Sequence, residues 1–263
     1  MGTKHPKLKV MFRLFILISF FSVKTWAQPK PELAELQVAR EQYRKYDTIS
    51  LRTAAILYEQ ILAKEPQNIE AMAMLSLLYA HFSYREAVQG LKNPYFNRSQ
   101  ELLNLAKQNA PDNNIVLRAQ AHLLLVQNKK KEAQEIISRL LSQEIGDPEL
   151  HYLSACISPG SLVDENTPAG SAIKKALELN PKFLWALEDK FLAHLQRKDY
   201  NMASNILRHI EESYPQYPEI KLYRFLYLLH TNNPQGLEEN LQSYLNDRNA
   251  LAAERIKNLL LVK

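Results

Sequence analysis

Residues 169–181 read Ala169-Gly-Ser-Ala-Ile173-Lys-Lys-Ala176-Leu-Glu-Leu-Asn-Pro181. A small residue opens the stretch, Ile173 and Ala176 follow at +4 and +7, and Pro181 closes it at +12. Positions +4 and +7 share one face of a helix with 3.6 residues per turn. A small residue at the start lets a neighbouring helix come close. Proline cannot continue a helix, so the element stops before Pro181.

The same frame recurs along the chain. It reads Ala54, Tyr58, Ile61, Pro66, then Ser99, Leu103, Ala106, Pro111, and later Ala203, Leu207, Ile210, Pro215. Two copies without the proline begin at Ala133 and Leu237. The six starting positions are spaced by 45, 34, 36, 34 and 34 residues. A fixed period of this length is the signature of a stacked repeat. Ahead of each copy lies a second apolar-periodic stretch, such as Met72-Leu75-Ser76-Tyr79 or Leu187-Phe191-Leu195. Polar runs at 127–131, 196–199 and 231–234 separate the two helices of a pair. Asp147-Pro148-Glu149 reads as an N-cap followed by proline at the first helical position.

On these residues the chain resembles the tetratricopeptide-repeat family over about residues 31–247. The resemblance implies an all-α fold: a right-handed solenoid of about six helix-turn-helix units. The departures are the absence of the family's first-helix tryptophan, Phe191 in place of its small residue there, and no glycine in the inter-helix turn. Residues 249–262, with Leu251, Ile256, Leu259 and Leu260, are expected to form a capping helix. Two places break the period. Eleven extra residues before Ser99 are expected to lengthen both helices of the second unit, giving an insertion tip with Phe82, Tyr84, Tyr95 and Phe96. The second is a longer loop over 158–168.

The 33 Lys and Arg against 28 Asp and Glu give a net charge of +5. Residues 1–27 hold five of those basic residues and no acid, so the remainder is balanced. A binder driven by neutralising nucleic-acid phosphates is therefore excluded as the main reading. Residues 4–13 are basic, 14–23 are an apolar run, and Thr25-Trp26-Ala27 offers small residues at −3 and −1. That is the layout of a cleaved secretory signal peptide, which predicts export to the periplasm or the medium. Ten apolar residues rise only about 15 Å, half a bilayer. No later stretch reaches membrane-spanning length.

Catalytic signals are missing from the sequence. Six glycines leave little for a phosphate-cradling loop. There is no Gly-x-Ser-x-Gly elbow. The histidines after residue 27 (81, 122, 151, 194, 209 and 230) never fall three to five apart, so no helical metal pair and no cofactor is expected. Paired carboxylates such as Glu188-Asp189 read as solvated faces. The single cysteine, Cys156, reads as a small core residue.

The resemblance implies that first helices line a concave groove. By the repeat frame the lining would be Leu77, His81, Arg118, His122, Leu125, His151, Trp185, Glu188, Leu192, Leu195, Leu226 and Leu229, with Ala73, Ala155 and Leu222 beside them. Such an apolar face needs an occupant. Three are open: the helix at 249–262 folding back, a partner's helix or peptide, or a small apolar ligand. The leading expectation is a non-catalytic scaffold for a protein partner. The alternative is an accessory component of a periplasmic solute transport system. It predicts an open cavity of about 300 Å³ or more, lined by Leu77, Leu125, Trp185 and Leu226.

Overall fold

The structure, a computed structural model, describes residues 31–87 and 94–248. The expected signal peptide and capping helix lie outside the described residues. The chain divides into two units, Met1–Ala34 and Glu35–Lys263. Of the first, only the opening turn of a helix is described. All that follows concerns the second.

Twelve helices and no strand are found among the described residues, arranged as six consecutive pairs. They are α1 (Pro31–Tyr43) with α2 (Thr48–Lys64), α3 (Ile69–Ala87) with α4 (Pro94–Asn109), and α5 (Asn114–Val126) with α6 (Lys130–Gln143). Then come α7 (Pro148–Ile157) with α8 (Pro168–Leu179), α9 (Leu184–Gln196) with α10 (Tyr200–Ser213), and α11 (Ile220–His230) with α12 (Leu237–Arg248). The opening, +4 and +7 positions of the first five copies are buried, while Leu237 and Leu241 of the sixth are half-buried. Ala54, Tyr58, Ala106, Ala133, Leu140, Ile173, Ala176, Ala203 and Ile210 are all sealed in one continuous apolar core.

The small residue that opens the frame does what its size permits. Ser99 on α4 and Ser76 on α3 exchange hydrogen bonds, each hydroxyl donating to the other's carbonyl at 2.8 Å. Both are fully buried. A larger side chain at either place would hold the two backbones apart.

The helix starts follow the sequence. Asp147 accepts from the amides of Glu149 and Leu150 at 2.8 and 3.3 Å, with Pro148 in the first turn. Thr167 caps α8 through Gly170 N–H at 3.1 Å. The inter-helix turns reach a left-handed backbone without glycine: Asn128, Lys198 and Asn232 have φ of 58°, 61° and 52°. In each, the next residue's N–H returns to a carbonyl in the helix's last turn, as in Asp199 N–H to His194 O at 2.9 Å.

Of the second unit's helices, α3 has 19 residues against 13 in α5, while α4 has 16 against 14 in α6. The extension thus falls mainly on α3. Phe82, Tyr95 and Phe96 pack back rather than standing off as a tip. Phe82 is buried, Tyr95 and Phe96 are half-buried against the core, and Tyr95 meets Phe82 and Tyr79 with ring centres 5.6 and 5.4 Å apart. Tyr84 lies within α3. Among the described residues no helix is long and apolar enough to cross a membrane.

Candidate functional site

The first helices bring a polar cluster and an aromatic cluster together in the interior. Arg118 and His122 are one turn apart on α5, so they point the same way. The Asp147 cap begins α7 so that Glu149 turns inward. Glu149 is wholly buried. Its Oε1 accepts from the Tyr43 hydroxyl at 2.7 Å and from His122 Nε2 at 2.7 Å, and its Oε2 lies 3.5 Å from Arg118. Arg118 reaches on to Glu144 at 2.7 Å and Asp147 at 2.6 Å.

Burial alone would push the Glu149 carboxyl toward protonation. The His122 hydrogen bond, the Arg118 charge and the Tyr43 hydroxyl outweigh it and hold the group below the usual carboxylate range. Glu149 is therefore an anion at neutral pH. Burial and that anion push the Tyr43 phenol well above its ordinary value, so it stays a donor.

The aromatic cluster centres on Trp185, at the start of α9. His81 stacks on it with centres 4.1 Å apart and planes 17° apart. Tyr46, Tyr152 and His122 meet it at 5.2, 5.9 and 6.1 Å. Trp185 Nε1–H donates to the Tyr46 carbonyl at 3.1 Å, across 139 residues of sequence. Tyr46 also meets Phe183 edge-on at 4.5 Å. So the first pair of helices touches the fifth. A simple stack contacts only its neighbours; this one winds tightly enough to close on itself.

That winding decides where the expected groove residues lie. Leu77, Glu188, Leu195 and Leu226 are buried, as are Ala73, Ala155 and Leu222, and none of them lines the spaces found among the described residues. Leu192, Leu229 and His151 are half-buried. Glu188 also corrects the reading of the Glu188-Asp189 pair as a solvated face: it accepts from the Tyr217 and Tyr223 hydroxyls in the interior. Those phenols supply what water would have supplied.

Two of the larger open spaces take in expected groove residues and share no lining residue with each other; another, of about 340 Å³ at Glu59, Leu75, Tyr79 and Arg98, takes in none. The larger of the two is a cleft of about 720 Å³. Met74, Ile115 and Leu179 give it apolar wall, while Arg40, Arg44, Arg118, Glu70, Glu144 and Asp147 give it charge. Arg40 is paired with Glu70, and Arg118 with three carboxylates. Arg44 is exposed and forms no ion pair with the described residues. Beside the cleft, Ile145 is 75 % exposed, the most of any large apolar side chain described.

The smaller of the two is a cavity of about 250 Å³ that gathers His81, His122, Leu125 and Trp185. Tyr152, Leu153 and half-buried Cys156 complete its walls. It is smaller than the transport reading asks for, and it takes two of that reading's four lining residues. Among the described residues no group of three His, Cys, Asp or Glu side chains is placed to hold a metal ion.

Sequence reasoning missed Tyr43, Tyr46, Glu149 and Phe183. Tyr43 and Tyr46 sit at the end of the polar first helix that fits the repeat frame poorly. Glu149 follows an N-cap and reads as an ordinary first-turn acid. The one usable signal was Arg118 and His122 at i and i+4, two donors that require an acceptor once buried.

No protein-family model and no curated protein matches this sequence. Solved structures do. The human IFIT1 dimer with m7Gppp-AAAA is similar at 16 % identity and a TM-score of 0.59, over 84 % of this chain and 51 % of that one. This chain thus spans about half of the IFIT1 chain. PilW, a widely conserved type IV pilus biogenesis factor, is similar at 15 % identity and a TM-score of 0.50, over 89 % of this chain and 100 % of that one. A tetratricopeptide repeat protein from Parabacteroides merdae gives 16 % identity and a TM-score of 0.47, covering 87 % of each chain. At these identities the likeness is one of fold.

Proposed function

The chain has the tetratricopeptide-repeat fold, and from that premise we propose that it is an exported, non-catalytic scaffold that holds an extended segment of a protein partner in the cleft beside α1, α3, α5 and α7. One observation carries the reading: the cleft is open and rigidly walled, and its charges are already placed. Its volume of about 720 Å³ falls within the range of specific binding sites. Arg118 is held by three carboxylates and Arg40 by one, so these walls lose little freedom when a partner arrives.

The same walls state the partner's chemistry. Met74, Ile115 and Leu179, with Ile145 beside them, favour apolar side chains. Among the described residues Arg44 is the cleft's cation without a carboxylate, so the segment carries an acid near its apolar residues. Export rests on the three-part pattern of residues 1–27. On that pattern the partner would be met in the periplasm or outside the cell.

Peptide display against the full chain, with an Arg44→Glu chain as the counter-bait, tests the cleft. Peptides with an acid beside two or more apolar residues are expected to enrich on the native chain and lose at least tenfold in affinity on Arg44→Glu. Enrichment that ignores Arg44→Glu would sink the cleft reading. Fusing residues 1–40 to an enzyme active only outside the cytoplasm tests export separately. A silent reporter would remove the exported part and leave the cleft reading standing.

A further inference from the structure

The cavity of about 250 Å³ shares no lining residue with the partner cleft and stands apart from it. Its size is informative. An apolar cavity of about 150 Å³ holds a benzene ring, and sites for drug-sized molecules start near 300 Å³. So the space admits one or two fused rings and excludes a helix or a long chain. Its walls carry ring and apolar surface: Trp185, the His81 stacked on it and Tyr152, with Leu125, Val126 and Leu153. Asn128 and Lys130 lie exposed at its mouth.

One polar atom inside is chemically defined. His122 is 94 % buried, and its Nε2 is committed to Glu149 at 2.7 Å. An ionised carboxylate only accepts, so Nε2 must carry the proton. In the neutral imidazole Nδ1 is then a bare lone pair. No hydrogen bond to Nδ1 is formed among the described residues, and His122 is part of the cavity wall. The buried Glu149 cluster thus sets the polarity of a group in a separate space.

We propose that this cavity binds a planar ring bearing an N–H or O–H donor, an indole or a phenol, with the ring against Trp185 and Tyr152 and its donor on His122 Nδ1. A hydrocarbon ring of the same shape would fill the space and leave the acceptor dry. Methylating the donor would lose the bond and add bulk where the imidazole stands. The ring's source is either a free molecule or a tryptophan or tyrosine side chain of a partner.

Isothermal titration of the full chain at pH 8 with indole, 1-methylindole and N-acetyl-tryptophanamide tests the assignment. Indole is expected to bind, and 1-methylindole about tenfold more weakly, the worth of one buried hydrogen bond. Leu125→Trp, which fills the cavity from its half-exposed rim, is expected to abolish indole binding while keeping the native helical circular dichroism. No binding of indole, equal affinity for indole and 1-methylindole, or unchanged binding to folded Leu125→Trp would each overturn the proposal. Should Leu125→Trp not fold, the two indoles on the native chain decide alone. N-acetyl-tryptophanamide binding at least as tightly as indole assigns the pocket to a side chain. Binding of indole alone assigns it to a free molecule.

Discussion

Glu149 shows how one side chain ties three helices. Tyr43 from α1, His122 and Arg118 from α5, and Glu149 from α7 meet with no water needed to satisfy them. Removing one partner of a buried charged group costs about 3–5 kcal/mol, because the others are left uncompensated. Glu149→Gln keeps the shape and removes the charge, so a loss of about 3 kcal/mol is expected. For a domain of this size that lowers Tm by roughly 6–12 °C. Tyr43→Phe removes one donor and should cost about 1.5–2 kcal/mol. The pH dependence has a definite sign. Folding lowers the Glu149 carboxyl below its unfolded value. Its contribution is therefore full above the ordinary carboxylate value of about 4.3 and is lost as pH falls through the lowered folded one. Urea midpoints of native chain and Glu149→Gln should differ most at pH 7 and converge toward pH 3. A gap that stays constant with pH would remove the anion from the account.

At the scale of the element, the fold is legible because each helix repeats a local rule. Ala54, Ala133, Ala169 and Ala203 had to be small, and the +4 and +7 residues after them had to be apolar. The turns are where local rules are broken yet obeyed in outcome. Lys198 holds φ at 61° where the repeat usually has glycine. A left-handed backbone costs a non-glycine residue about 1–2 kcal/mol, offset by the freedom glycine adds to the unfolded chain. Lys198→Gly should therefore stabilise by about 0.5–1 kcal/mol, with a smaller gain for Asn128→Gly, since asparagine tolerates this region. A lowered urea midpoint in Lys198→Gly would contradict this. The loop over 158–168 reads from sequence as a break in the period, yet it is a braced element. Thr167 Oγ1 donates to carbonyls within it, and a Cβ on Gly170 would lie 2.0 Å from the Asp164 oxygen. Gly170→Ala should cost about 3 kcal/mol or more by forcing loop and helix apart. Gly146→Ala, where nothing lies within 4 Å, should stay within about 0.5 kcal/mol. Thermal melts of the pair read this contrast directly.

The winding of the whole molecule is what the sequence did not disclose, and it governs the site. Each repeat adds a small rotation fixed by packing details, and only their sum brings Tyr46 onto Trp185. A repeat frame places a residue on the inner face. It does not say whether that face meets water or the far end of the stack. Hence Arg118, His122, Leu125 and Trp185 fell on spaces that exist, while Leu77, Glu188, Leu195 and Leu226 fell in the core. Closure also changes how the molecule should unfold. In an open array, a change in the first pair of helices leaves the fifth untouched. Here Tyr46 and Phe183 sit edge-on at 4.5 Å, a geometry worth about 0.5–1.5 kcal/mol beyond buried area. A double-mutant cycle with Tyr46→Ala and Phe183→Ala should therefore show a coupling of about that size. Amide hydrogen exchange adds a second reading: Tyr46→Ala should speed exchange in α9, although 138 residues separate Tyr46 from Leu184, where that helix begins. Additive energies together with unchanged exchange in α9 would mean that the stack is open in solution, and that the inner face is available to a partner along its whole length.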